Sequence, residues 1–227
     1  MGSLIIGVGN INKDILKYNE YINKYSININ DWDELNINTS NFNIIYLIVD
    51  YSNNKDVILA NKIIKEIREM DNEIFIISIC YNYNSNSNSL SDYSNGIACF
   101  KEYDIKKIAG IIMTIDRTVN IEGLINIDMY DLVAISKLGK KLVIGCGDAS
   151  GNNRAIEACN NAMGNIDFTN VKSIIIIVIA SSNLSLSEVN RAIEAIREKN
   201  KDIELIFGAG VDDSYGDKLE IRIIGFK

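Results

Sequence analysis

Two hydrophobic patterns alternate along the chain, and they predict alternating strands and helices. Residues 5–8, 44–49, 73–79 and 172–180 are nearly continuous apolar runs, the pattern of strands buried on both faces of a sheet. Between the first of them, apolar residues recur at helical spacing: Ile15, Leu16, Tyr18 and Ile22, then Val57, Ile58, Ala60, Ile63, Ile64 and Ile67. A short strand is predicted over 97–100. A helix over about 104–117 carries Ile105, Ile108, Ile111, Ile112 and Ile115 along one stripe. Residues 26–43 are polar and Asn-rich around Trp32 and read as a loop with a short strand. The Asn/Ser tract over 81–95 reads as a mobile loop.

The second half repeats the alternation. A strand over 141–147 leads to Ser150, which the pattern makes the cap of a helix over 151–163 with Ile156, Cys159 and Met163 facing inward. Ser185-Leu186-Ser187-Glu188 matches a capping box that opens a helix through Lys199, burying Val189, Ala192, Ile193 and Ile196. Strands over 203–207 and 219–224 close the chain as a hairpin-like pair joined by 208–216. The expected fold is α/β. A Rossmann-like parallel-sheet domain over 1–121 ends in a central helix, and a mixed-sheet α+β domain follows over 122–227.

Composition narrows the function. With 47% hydrophobic residues there is ample core, and the net charge of -7 argues against nucleic acid or an anionic membrane as partner. No run of eighteen apolar residues occurs, so no membrane span is expected, and the unpaired cysteines make a cytoplasmic location the expectation. The sequence has no histidine, which removes the usual general base and the commonest metal ligand; no metal site is expected. Cys80, Cys99, Cys146 and Cys159 show no paired spacing and are read as reduced and mostly buried. The chain also lacks proline.

Two stretches carry candidate chemistry. Gly7-Val8-Gly9-Asn10 ends the first strand in a tight turn, as a nucleotide-binding unit begins. A close-packed structural turn explains the same residues equally well. Gly123-Leu124-Ile125-Asn126-Ile127-Asp128-Met129-Tyr130-Asp131-Leu132 places an amide and two carboxylates just before or within the first turn of a helix. Such groups can orient a water or hold a cation; an Asx-rich turn capping a helix is the plainer account.

This second stretch resembles the synergy loop of the FtsZ family, the prokaryotic tubulin homologues. The resemblance continues through Gly145-Cys146-Gly147-Asp148-Ala149-Ser150-Gly151-Asn152-Asn153-Arg154-Ala155, then 179–188, and finally Gly208-Ala209-Gly210-Val211-Asp212 with 216–221. It implies an FtsZ/tubulin-like fold with an FtsZ-type activation domain over 122–227. It also implies guanine nucleotide with its Mg2+, and head-to-tail contact with FtsZ or with a second copy. Asn126, Asp128 and Asp131 would then act in trans on a neighbour's nucleotide. Upstream, the resemblance puts Gly7, Gly9, Asn10, Ser52, Asn53 and Asn54 at the phosphate positions.

There the family's glycine loop is replaced by Asp50-Tyr51-Ser52-Asn53-Asn54-Lys55, which has no glycine. Amides wrap a phosphate only where Cβ atoms do not obstruct them, and Asp50 adds like charge. The expectation is a pseudo-GTPase of the division or cytoskeletal class that keeps the half-site serving a neighbour and loses its own. The alternatives are a divergent self-assembling GTPase and a small-molecule binder at the 7–10 turn.

Overall fold

A computed structural model describes residues 2–9, 25–30, 39–84, 90–121, 123–164 and 166–227. The helix expected from Ile15, Leu16, Tyr18 and Ile22 and the position of Trp32 lie outside these residues, as does part of the Asn/Ser tract. The chain divides into two units, Met1–Met113 and Thr114–Lys227. The boundary falls inside a long helix.

In the first unit, apolar runs that cannot expose either face become the strands of one parallel sheet. Its strands are β1 (Ser3–Val8), β2 (Tyr25–Ile29), β3 (Ile44–Asp50), β4 (Phe75–Tyr81) and β5 (Gly96–Cys99), in the order β2-β1-β3-β4-β5. Every pairing is parallel. Helix α1 (Asn54–Met70) lays Ala60, Ile63, Ile64 and Ile67 against Ile6, Ile45, Leu47 and Val49. Each such isoleucine removed from water is worth about 1.5–3 kcal/mol. Ile58, expected on that stripe, is 52% exposed, because it lies on the flank of the helix rather than over the sheet. Strand β4 begins two residues later than the apolar run suggested and carries through Tyr81. Helix α2 (Ile105–Asn120) runs across the unit boundary and buries Ile108, Ile111, Ile112 and Ile115.

The second unit is a mixed five-stranded sheet, ordered β6-β9-β8-β10-β7. Its strands are β6 (Gly123–Ile125), β7 (Leu142–Ser150), β8 (Ser173–Ala180), β9 (Glu204–Val211) and β10 (Lys218–Phe226). Helices α4 (Arg154–Met163) and α5 (Leu186–Lys199) cover one face, where Ala158, Cys159, Ala162, Val189, Ala192 and Ile196 meet Ile174, Ile176 and Val178. A Cβ on Gly147 would stand 2.3 Å from the Ala162 amide nitrogen, so α4 rests directly on the backbone of β7. Helix α3 (Met129–Ser136) is short.

Three expectations need correction here. Strands β9 and β10 are not a hairpin-like pair: β8 lies between them, parallel to β9 and antiparallel to β10. Ser150 ends β7 instead of capping α4. The cap position is Asn153, whose side chain makes no capping hydrogen bond. Ile156 is 37% exposed and Ile193 only half-buried, whereas Cys159, Met163, Val189, Ala192 and Ile196 are buried as expected. The capping box at Ser185 is formed as read, with Ser185 and Glu188 each accepting the other's backbone N–H. Cys80 and Cys159 are buried, Cys99 is half-buried and Cys146 is exposed, all as free thiols. Among the described residues no helix is long and apolar enough to cross a membrane.

Candidate functional site

In an open parallel sheet the strand order reverses at one point, and ligands settle outside the carboxyl ends of the strands there. In the order β2-β1-β3-β4-β5 that point is between β1 and β3. Gly9 follows β1 with φ +77°, a conformation natural only to glycine. Its N–H donates to the Ile29 carbonyl (2.9 Å), and its own carbonyl accepts from Asn28 Nδ2 (2.8 Å). Gly7 lies inside β1, in register with Asn28 and Ile48, and Asn10 is outside the described residues.

After β3, several backbone donors that could face a phosphate are already committed. Tyr51 N–H donates to the Tyr81 carbonyl (2.9 Å) and Ser52 N–H to Asp50 Oδ1 (2.9 Å). Lys55 N–H donates to Asn53 Oδ1 (3.1 Å), with Asn53 the N-cap of α1. Asp50 Oδ1 also accepts from Ser52 Oγ and Asn82 Nδ2. Asn82 holds its position with a positive φ of 52°. Ser52, Asn53 and Asn54 are exposed. Asp56, in the first turn of α1, reaches back over Gly9: a Cβ built there would lie 2.1 Å from Asp56 Oδ2. Burial and the neighbouring Asp50 push the Asp56 carboxyl above its usual range, and a hydrogen bond from Asn53 opposes them. Asp56 was not foreseen as a site residue, since an acid in a first helical turn ordinarily reads as a dipole complement.

In the second unit, Asp128 is the N-cap of α3 and forms a reciprocal box with Asp131. Asp131 N–H donates to Asp128 Oδ1 (3.0 Å), and Asp128 N–H donates to Asp131 Oδ2 (2.9 Å). Each carboxylate spends one oxygen on the backbone and keeps the other. Asn126 Oδ1 accepts from Gly123 N–H (3.0 Å). The three groups are thus brought into one turn, with the roles of helix cap and solvent-facing acid combined.

Glycines on both sides explain how the turn is seated. Buried Ile127 lies against Gly208, where a Cβ would come within 2.8 Å of Ile127 Cγ1, and β6 approaches so closely that a Cβ on Gly123 would lie 2.3 Å from the Ala209 carbonyl oxygen. Leu124 (65% exposed) and Tyr130 (84% exposed) flank the acids.

A further polar hub ties the corner of this unit together. Arg154, buried at the start of α4, donates to Glu188 (Nε–Oε1 2.7 Å), Asn183 Oδ1 (2.8 Å) and the Asp217 carbonyl (3.0 Å). It draws the Glu188 carboxyl down to about 2. Among the described residues no cluster of potential metal ligands is found.

Comparison with known proteins agrees with this architecture. The model of the FtsZ family, C-terminal domain, matches residues 140–226. "Cell division protein FtsZ 2" of Pyrococcus furiosus is 32% identical over 122 residues, 52% of this chain and 30% of that protein. "Cell division protein FtsZ" of Mycoplasmopsis pulmonis is 30% identical over 173 residues, 73% and 42% of the respective lengths. "Mitochondrial division protein fszB" of Dictyostelium discoideum is 26% identical over 187 residues, 80% and 50%. The matched stretch is at most half the length of these relatives. An empty FtsZ dimer of M. jannaschii has TM-score 0.73 at 11% identity, covering 100% of this chain and 88% of that one. CetZ of Methanosaeta thermophila gives 0.70 at 15%, with 100% and 86% covered. By fold, then, the chain is of the FtsZ/tubulin-like class, a parallel-sheet unit followed by a mixed-sheet unit. Taking the family model and the curated relatives together, residues 140–226 match the FtsZ family's C-terminal domain and the chain is similar to FtsZ proteins.

Proposed function

We propose that this chain is a pseudo-GTPase of the FtsZ-like division or cytoskeletal class. It docks through the face of Asn126, Asp128 and Asp131 on the nucleotide-bearing face of an FtsZ subunit, or of a second copy of itself. The observation that carries this reading is a contrast between the two units. The amides of Gly9, Tyr51, Ser52 and Lys55 are all engaged by internal acceptors, so the crevice has few donors left for a phosphate. The acidic turn, by contrast, is fully built and flanked by exposed Leu124 and Tyr130. Guanine nucleotide and Mg2+ then belong to the partner's site. There the outward oxygens of Asp128 and Asp131 orient the attacking water, an effect of about 10²–10⁴-fold for a positioned base. Subunit contact as the mode of action is supported by the dimeric FtsZ among the structural neighbours.

The test is nucleotide binding and turnover by the purified chain, alone and mixed with an authentic FtsZ, with filament mass followed in parallel. The expected result is no GTP binding alone and altered turnover in the mixture. Asp128→Asn abolishes that effect while keeping the helix cap, since asparagine caps as well as aspartate. Micromolar GTP affinity of the chain alone would instead assign it to self-assembling GTPases. No effect in either measurement removes both readings.

A further inference from the structure

At the end of β1, Asp56 lies over the turn at Gly9. We propose that Asp56 is a tethered anion occupying the phosphate position of the crevice between the ends of β1 and β3, and that it excludes phosphate-bearing ligands from it. The proposal deepens the pseudo-GTPase reading and rests on it in taking the crevice for a former nucleotide site.

Three features meet at the end of β1. The strand order places the ligand crevice between β1 and β3. The turn at Gly9 has the backbone conformation and the missing Cβ that allow close approach of a ligand. What approaches is Asp56: its Oδ2, Cγ and Oδ1 lie 2.1, 2.3 and 2.6 Å from the point where a Cβ would stand on Gly9. A carboxylate and a phosphate oxygen ask for the same surroundings, so one held covalently in place displaces the other. The side chain rises from the first turn of α1, next to the cap residue Asn53. Asp50 stands beside it, itself held by Ser52 and Asn82. An incoming phosphate therefore meets a filled volume and a doubled like charge, both of which raise its free energy.

An acid that served only the helix dipole would affect stability and nothing else; an occupant, once removed, leaves a vacancy that a ligand can enter. The experiment follows pyrophosphate, and separately GTP with Mg2+, by calorimetric titration of the full chain, Asp56→Ala and Asp56→Asn. Thermal unfolding confirms that each is folded. The expected result is no saturation of the natural chain at millimolar ligand. Asp56→Ala gains at least about tenfold in apparent affinity for both probes, a step of about 1.4 kcal/mol. Asp56→Asn gains less, because the amide still fills the volume. Should Asp56→Ala not fold, Asp56→Asn decides by whether it gains at all. A folded Asp56→Ala that binds no better than the natural chain overturns the proposal while leaving the pseudo-GTPase reading in place. Tight binding by the natural chain overturns both.

Discussion

Replacing Glu188 by glutamine removes the charge that answers Arg154 and leaves the rest of the corner in place. Arg154 is 5% exposed and Glu188 15%, so neither is stabilised by bulk water as a surface pair would be. The Glu188 carboxyl titrates at about 2 in the fold, chiefly through the hydrogen bond from Arg154 and then through Ser185. In an unfolded chain a glutamate titrates near 4.3. At about 1.4 kcal/mol per pH unit, this contributes at most about 3 kcal/mol at neutral pH. A depressed carboxyl stabilises above its unfolded value, and the contribution is lost as pH falls from about 4.3 through about 2. Glu188→Gln is therefore expected to lose about 2–4 kcal/mol at pH 7, since the buried guanidinium keeps only the exposed Asp217 carboxylate, 3.9 Å away, as countercharge. In melting temperature this is a fall of roughly 4–16 °C for a chain of this size. Near pH 2 the gap between natural chain and variant narrows to under about 1 kcal/mol, because the carboxyl is then taking up its proton in the folded chain too. Urea unfolding at a series of pH values reads this directly. A variant within 0.5 kcal/mol of the natural chain at pH 7, or a gap independent of pH, refutes the reasoning. Other depressed acids, among them Asp212 and Asp213, bend both curves alike and drop out of the difference.

Three further outcomes are expected. Ile127→Ala, at the buried residue beneath the acidic turn, costs about 2–5 kcal/mol of stability by chemical denaturation, and Gly208→Ala destabilises too because its Cβ meets Ile127. Tyr130→Ala, at an 84% exposed position, changes stability by less than about 0.5 kcal/mol yet weakens co-sedimentation with the partner filament. A thiol reagent labels Cys146 in the native chain, slowly because burial of its sulfur raises the thiol's titration, while Cys80 and Cys159 react only on unfolding.

Much of this architecture was legible because the local signals are strong. The apolar runs at 44–49 and 172–180 became β3 and β8, and the Ser185–Glu188 box formed as read. What failed to show has physical reasons. Strand β7 reaches Ser150 through Cys146 and Asp148 because it is an edge strand, with one face open to water, so its last residues look like a loop. Sequence neighbours β9 and β10 are separated by β8, an arrangement fixed by side-chain packing across the sheet rather than by either strand. The three residues of β6 are too few to carry a period. In the crevice, the absence of glycine over 50–55 was visible. The contact of Asp56 with Gly9 was not, because it joins residues far apart in sequence through the strand order.

Because Asp128 and Asp131 fasten one another to the backbone and Ile127 is sunk beneath them, this turn reaches its working shape while the chain folds, before any encounter. An unstructured loop of the same composition would surrender about 1–2 kcal/mol for each residue fixed on contact. Here that loss has already occurred, so any adhesion to a neighbour of the kind proposed would depend on fit and desolvation, and the lifetime of that contact on how Leu124 and Tyr130 are received.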